Sequence, residues 1–535
     1  MSFVLNDANT QQLSLFDSYN TLTQREKRFL DKSWAKYFAE HIFPKIDEQP
    51  FSVLYSNKDS RPNCPVNVNI GALIIKEFTG LSDDELLTAL MFDIRFQYAL
   101  HTTSFEEQPM SDRSLGRFRE RCRIYEEETG IDLLHPVIVS LSEEMAEMMK
   151  LDFSLRRMDS LMVASNIKKM SRLELLYTCV ANLAKEVQKN GVALPESLCH
   201  YTQADDRNRV IYHNRSEETS EKLATVLRDA IELKNLCSTE YDESSNYGLL
   251  IRVLKEQTLE DAEGGLRLRT KEDGGMDAKI LQNPADPEAT YREKAGKQHR
   301  GYAANVTEIS GENGSIVTDY QYETNTYSDT QFLQDSLEGM GRQEETVTVV
   351  TDGAYAGQRN TQLAEENNVC LVHTNLTGRE SEDLLADFEF NDDGTKVLKC
   401  PGGFEPKSCS YNQSTGQCVV SFQRNQCEQC PYKKQCHPKM FKRVSRKTVS
   451  VNAKRRAEQQ RYRSTEAFKE LSRFRNGVET IPSILRRKYR VDCMPVRGLI
   501  RGRFRFGCKI GALNFRKFCK YMQSRENCAQ NAVLA

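Results

Sequence analysis

The 535 residues are 39% apolar and 28% charged, a balance that excludes an intrinsically disordered chain and leaves room for several separately cored domains. No run approaches the roughly eighteen apolar residues of a membrane span, and MSFVLNDANTQQLSLF lacks the basic and apolar stretches of a secretory signal, so a cytoplasmic protein is expected. The net charge of −2 hides an asymmetry, because residues 433–520 hold 27 Lys and Arg against 5 Asp and Glu.

In chain order, residues 1–150 read as mostly helical. NIGALIIKEFTGLSDDELLTALMFDIRFQYAL places apolar residues three and four apart, and Ser82 ahead of Asp83, Asp84 and Glu85 predicts a capped helix start. PMSDRSLGRFRERCRIYEEETG predicts another helix, capped by Ser111 or Asp112. Its Arg113, Arg117, Arg119 and Arg121 form either a phosphate-touching face or an ordinary exposed one. DFSLRRMDSLMVAS reads as a strand around Asp159, and residues 172–260 return to helical patterning with polar interruptions at 200–220. GYAANVTEI (301–309) and SIVTDYQYET (315–324) predict a hairpin that turns at Asn313-Gly314. A helix over 329–340 precedes TVTVV (346–350), a short apolar strand ending at Thr351-Asp352-Gly353, and NVCLVHT (368–374) is the next strand. A cysteine segment at 395–445 then leads into a basic helical stretch, AKRRAEQQRYRSTEAFKELSRFRNGVETIPSILRRKY. The order suits a mixed α/β core with functional groups at strand ends and on a packed helix.

Six of the 16 cysteines fall between Cys400 and Cys436. In a reducing compartment such clustering points to metal ligation rather than disulfides. Cys427-x-x-Cys430, with Cys436 behind and Cys400 upstream, fits four-thiolate structural zinc, because a short CxxC loop lets two sulfurs converge on one ion. Cys409, Cys418 and His437 are substitute ligands, and a set of free thiols is the plain alternative. Lys433, Lys434, Lys439, Lys442 and Arg443 beside the cluster suggest a small DNA-facing module.

Asp352 ends an apolar strand before Gly353, which places it where ligands bind at the carboxyl edge of a sheet, or else makes it a turn-forming Asp-Gly. Asp159 lies inside a strand, where a charge is disfavoured without a partner or metal; Asp152 is its rival. Glu479 does not stand out by itself among Glu458, Glu466 and Glu470. Three such acids would suffice to hold two hard divalent ions for phosphodiester chemistry.

The segment Ser472, Arg475, Glu479, Arg486 resembles the Tyr, Arg, Glu, Lys signature of insertion-sequence DDE transposases, with Ser in the Tyr position and Arg in the Lys position. VVTDGAYAG resembles that family's second-aspartate segment and MDSLMVASN its first. The stretch from SVLYSNKDSRPNCPVNVN through SDRSLGRFRER is similar to an InsH-like helical N-terminal domain, and RGLIRGRFRFGCKIGALNFRKF to the closing helix. The catalytic part looks IS-four-like, with a cysteine-rich insertion.

That resemblance implies an α/β RNase H-like catalytic core with a helical N-terminal domain, a helical insertion and a small cysteine-rich insertion. The expected domains are an N-terminal DNA-binding domain at 1–150, the core at 151–394 with its insertion at 172–280, the cysteine insertion at 395–445, the rest of the core at 446–522, and a tail at 523–535. Asp159, Asp352 and Glu479 carry over as catalytic ligands of two Mg²⁺ or Mn²⁺ ions. Arg475 and Arg486, with Arg487 and Lys488 beside them, are the expected DNA contacts. The implied activity is metal-dependent cleavage and strand transfer of double-stranded DNA at terminal inverted repeats and into target DNA, by a homodimer with no membrane partner. A catalytically inactive, sequence-specific DNA-binding derivative is the alternative. Phe504, Phe506, Tyr489 and Phe515 are expected in the core rather than stacked on bases. Pro482 forces either a kink in the Glu479 helix or a new helix starting close by.

Overall fold

The computed structural model describes the chain except residues 7–16, 57, 59–60, 105–107, 213–215, 239–240, 261–264, 271, 276, 295, 375–381 and 535, and the side chains of 216–217 and 529–534. It divides into two compact units, Met1–Gly341 with Glu479–Ala535, and Arg342–Val478. Residues 1–150 fall within the first unit, and the stretch 446–522 is divided between the two at Glu479.

The first unit is built on antiparallel strands β1 (Leu155–Ala164), β2 (Thr290–Lys294), β3 (Lys297–Gly311) and β4 (Gly314–Thr324). β3 pairs with β1 along one edge, where Asp159 faces Val306; on the other edge it pairs with β2 and then β4. Its middle residues are buried on both faces, as GYAANVTEI, with no strict alternation, suggests. The hairpin closes through Glu312-Asn313 between paired Gly311 and Gly314, one residue earlier than expected; Gly314 takes the positive φ of 122°.

The C-terminal helix, Leu499–Leu534, lies against β4. Its approach requires Gly502, because a Cβ there would sit 2.7 Å from the Tyr322 hydroxyl. Side chains cap the outward backbone of β4. Asn514 bonds both N–H (2.9 Å) and carbonyl (2.7 Å) of Val317, His135 reaches the Tyr320 carbonyl, and Arg503 donates to the Tyr322 carbonyl. An open sheet edge is thereby sealed. Buried Glu308 is neutralised by Arg157 from β1 and Lys517 from the helix, and these two cations hold its carboxyl low against the opposing effect of burial. Tyr489, Phe504, Phe506 and Phe515 are all buried, in the core role expected of them. Residues 523–534, set apart on the sequence as a tail, continue this helix.

Among the N-terminal helices, Asp83–Phe92 starts with the expected Ser82–Glu85 capping box. Ser114–Thr129 does not use Ser111 or Asp112 as its cap. Its N-cap is Arg113, and the Ser114 hydroxyl instead accepts the Ser111 N–H at 2.9 Å. Arg119 on this helix is taken by Asp83, and Arg121 lies 4.8 Å over the Tyr55 ring, so half of the supposed phosphate-touching face is engaged internally. The helical insertion (Arg172–Lys189, Ser216–Cys237, Ser245–Gln257) has its own core, including Tyr177, Leu183, Leu233 and Val253. After the helical patterning read over 172–260 comes a short hairpin, Thr258–Glu260 with Leu266–Leu268.

In the second unit, β5 (Val347–Thr351) and β6 (Val369–His373) are parallel, joined through the helix Gln358–Glu366. A four-stranded antiparallel sheet follows, in the order β7 (Ser408–Asn412), β8 (Gln417–Gln423), β10 (Val444–Val449), β9 (Lys439–Met440). Its core of Phe388, Val397, Val420, Phe422 and Val449 extends past both limits of 395–445. Helices Val451–Tyr462 and Glu466–Asn476 complete the unit.

Candidate functional site

β5 is a buried β-branched run, and its hydrogen-bonded path ends at Thr351. Asp352 then leaves the strand and caps a short turn, its Oδ1 accepting the Ala354 N–H at 2.8 Å. That bond fixes one oxygen while the side chain stays 32% exposed, suiting a carboxylate that must reach both a cation and a substrate. Arg475, on the helix Glu466–Asn476, brings its guanidinium within 3.8 Å of Asp352 Oδ2 and is itself buried. It therefore faces the aspartate from inside the unit rather than from an open surface.

One neighbour of Asp352 escaped the sequence reading. His373, at the end of β6, bonds the Thr351 hydroxyl at 2.8 Å, and burial holds its imidazole below the ordinary value despite the opposing pull of Asp352. The parallel register that pairs Thr351 with His373 creates this contact, and no local spacing announces it.

In the other unit, Asp159 is half-buried on β1, two residues from Arg157 and so on the same strand face. Glu479 closes a single 3-10 turn, Gly477–Glu479, and a new helix, Thr480–Arg487, begins directly after it. Pro482 thus occupies the first turn of a fresh helix, where a missing N–H costs nothing. Of the two readings left open by that proline, the new helix is the one adopted.

Arg486 donates to the Met162 carbonyl at 3.0 Å and pairs with Asp492 at 3.2 Å, tying its helix to β1. Arg487 and Lys488 are exposed. Burial, with Arg516 and Lys520 nearby adding to it, holds the Lys488 ammonium below its usual range.

The cysteines form a second centre. Cys400, Cys427, Cys430 and Cys436 line one cavity of about 20 Å³, with Phe404 and Lys447 in its wall, a space of roughly one small occupant. Burial and the neighbouring sulfurs push Cys436 up to about 11 and raise Cys427, while Lys447 pulls Cys436 the other way. Cys409, Cys418 and His437 do not line the cavity: the first two lie on β7 and β8, and Cys418 bonds the Thr395 carbonyl. All sixteen cysteines are free thiols. Among the described residues, no three His, Cys, Asp or Glu side chains meet at metal-ligating geometry. The four thiols share a wall without closing on a common point.

Two families match the chain. The Transposase DDE domain matches residues 399–519, a stretch that holds Glu479, Arg475, Arg486 and all four cavity cysteines. The Transposase domain (DUF772) matches residues 26–121, most of the N-terminal helical region. Asp159 and Asp352 lie outside both. No curated protein and no solved structure matches the chain. The likeness to transposases is thus found at two separate places, and it implies a part in DNA transposition. No helix among the described residues is long and apolar enough to cross a membrane.

Proposed function

We propose, from the transposase likeness at both ends of the chain, that this protein is a DDE transposase cutting and rejoining double-stranded DNA at the terminal inverted repeats of an insertion sequence. The observation that carries the reading is Asp352. It is a partly exposed carboxylate at the end of a buried parallel strand, oriented by a backbone N–H and backed by buried Arg475. The reading of an RNase H-like core is supported by its strand types, antiparallel β1, β3 and β4 in one unit and parallel β5 and β6 in the other.

In this reading Asp159, Asp352 and Glu479 hold two Mg²⁺ or Mn²⁺ ions. Such ions lower the pKa of attacking water and neutralise charge on the leaving oxygen. The protein's own part is placement. The Ala354 N–H fixes Asp352 Oδ1, Arg475 balances Oδ2, and the break before Thr480 lets Glu479 project from the end of a turn rather than a helix interior. Arg475 is a positioning residue here, and Arg486 ties its helix to β1; exposed Arg487 and Lys488 remain for DNA phosphate. The four thiols that line one small cavity do not close on a common point, yet their chemistry is that of structural zinc ligands, and in this reading they would draw together on an ion that displaces their protons. A cytoplasmic location suits those reduced thiols, and a homodimer would hold two DNA ends together.

Strand cleavage on duplexes carrying the element's terminal repeats, with Mg²⁺, tests the proposal. Wild type should nick at the repeat end, while Asp159→Ala, Asp352→Ala and Glu479→Ala should each fail while still binding. Binding without any metal-dependent nicking by wild type would favour the inactive DNA-binding alternative. Sedimentation showing only monomers on paired ends would remove the dimer.

A further inference from the structure

The hairpin β9–β10 is two-sided. Along β10, Ser445 and Val449 are buried and Lys447 turns inward, where its ammonium bonds the Cys436 carbonyl and Glu382. Arg446, between Ser445 and Lys447, points outward. Its cross-strand partner is Lys439, so two cations stand directly opposite one another. Like charges in that position destabilise a strand pair.

Among the described residues no acid pairs with either of them. Residues 424–447 hold eight Lys and Arg and a single acid, Glu428, which pairs with Arg424. With Lys447 engaged by Glu382, the outward cations Lys433, Lys434, Lys439, Lys442, Arg443 and Arg446 make no ion pair among the described residues. The tip, Phe441-Lys442-Arg443, is closed by the Phe441 N–H to the Val444 carbonyl at 2.8 Å. Phe441 is 46% exposed, with the Arg446 guanidinium 5.1 Å above its ring, so the side chain costing most to expose serves to orient a cation.

We propose that this hairpin is a DNA-docking finger, in which Lys439, Lys442, Arg443 and Arg446 grip the phosphate backbone of duplex DNA while the cysteine cavity beneath anchors it. A polyanion supplies what the fold lacks, relieving the Lys439–Arg446 repulsion and engaging the tip together. The choice of duplex DNA as the polyanion rests on the transposase reading; the charge pattern does not. The finger binds without regard to sequence, since phosphate contacts position a protein but do not read bases.

The test uses the full chain with the four cations changed together: Lys439→Gln, Lys442→Gln, Arg443→Gln and Arg446→Gln. Fluorescence anisotropy on a 30-base-pair duplex of unrelated sequence, about 30 by design and titrated from roughly 50 to 200 mM KCl, gives the slope of log K against log salt. The slope should shallow by about 3 to 4, near 0.9 for each lost phosphate contact. A variant keeping charge, Lys439→Arg with Lys442→Arg, should retain it, which separates lost contacts from misfolding. Replacing exposed Lys185, Lys189, Lys255 and Lys279 of the insertion, likewise four charges, controls for a mere change in net charge. An unchanged slope in the four-fold variant, or an equal change in the control, overturns the finger. So does tighter hairpin-dependent binding to an A-form RNA duplex. If wild type cleaves repeat-end DNA yet the slope does not move, the finger alone falls. If binding depends on the hairpin but wild type never cleaves with Mg²⁺, the finger stands and the transposase reading falls.

Discussion

Asp352 and the cysteine cavity sit in the same unit and invite opposite treatment of a cation. Asp352 is a third exposed and held by one backbone bond, with Arg475 at 3.8 Å leaving its outer oxygen accessible. The four cysteines line a cavity of about 20 Å³ with Phe404 and Lys447 in its wall. Open carboxylates suit an ion that must keep positions for water and phosphate, whereas enclosed thiols suit one that only holds a fold. Under the proposed function, hard and soft ligands would divide labour within residues 342–478.

The contrast breaks most visibly at the cysteines. Cys427→Ser with Cys430→Ser should cost zinc, assayed at one ion per chain in wild type, and unfold the module around Phe422 and Val449. Loss of structural zinc forfeits up to about 10 kcal/mol of metal-linked folding. A variant whose metal content and melting curve match wild type would end the structural-zinc reading. Next comes Asp352→Asn, which should lower Mg²⁺-dependent cleavage about a thousandfold or more, several kcal/mol of transition-state stabilisation, while leaving melting and zinc content alone. Were it to cut as wild type does, the open site would lie elsewhere. Arg475→Gln should be milder, about ten- to a hundredfold in cleavage with a raised Mg²⁺ requirement, as expected when a ligand's outer partner is removed. An effect on DNA affinity alone would return Arg475 to the phosphate contacts.

The smallest effect sharpens the comparison by removing a confounding pH response of the fold. Burial, with Asp132 beside it, pushes Glu126 up to about 7, only partly offset by Arg503. An acid that holds its proton more tightly when folded loses stability as pH rises, here from 4.5 towards about 7. Glu126→Gln should flatten that decline by about 1–2 kcal/mol in urea titrations at pH 5 and pH 8. A wild-type stability independent of pH over that window would contradict the assignment.

Where local chemistry decides, the sequence was legible. Ser82 and Glu85 specify their capping box by spacing alone, and TVTVV ahead of Asp-Gly specifies a strand that delivers Asp352 to its end. Ser111 and Asp112 looked equally good as caps, yet Ser114 takes the Ser111 N–H with its own hydroxyl and starts the helix later. The burial of Arg475 and the nearness of His373 depend on which helix face and which strand register the tertiary fold selects. The fourth cavity cysteine was read as Cys400, with Cys409, Cys418 and His437 as substitutes that spacing could not discard. Pairing of β7 with β8 removes Cys409 and Cys418 from the cavity and leaves Cys400 lining it.

The sealing of β4 by the last helix has a consequence for truncated products. A chain stopped before Leu499 would present the Val317, Tyr320 and Tyr322 backbone without Asn514 and Arg503 to occupy it. Such an edge recruits strands from other molecules, so premature termination should yield aggregates rather than a soluble fragment that competes for DNA ends.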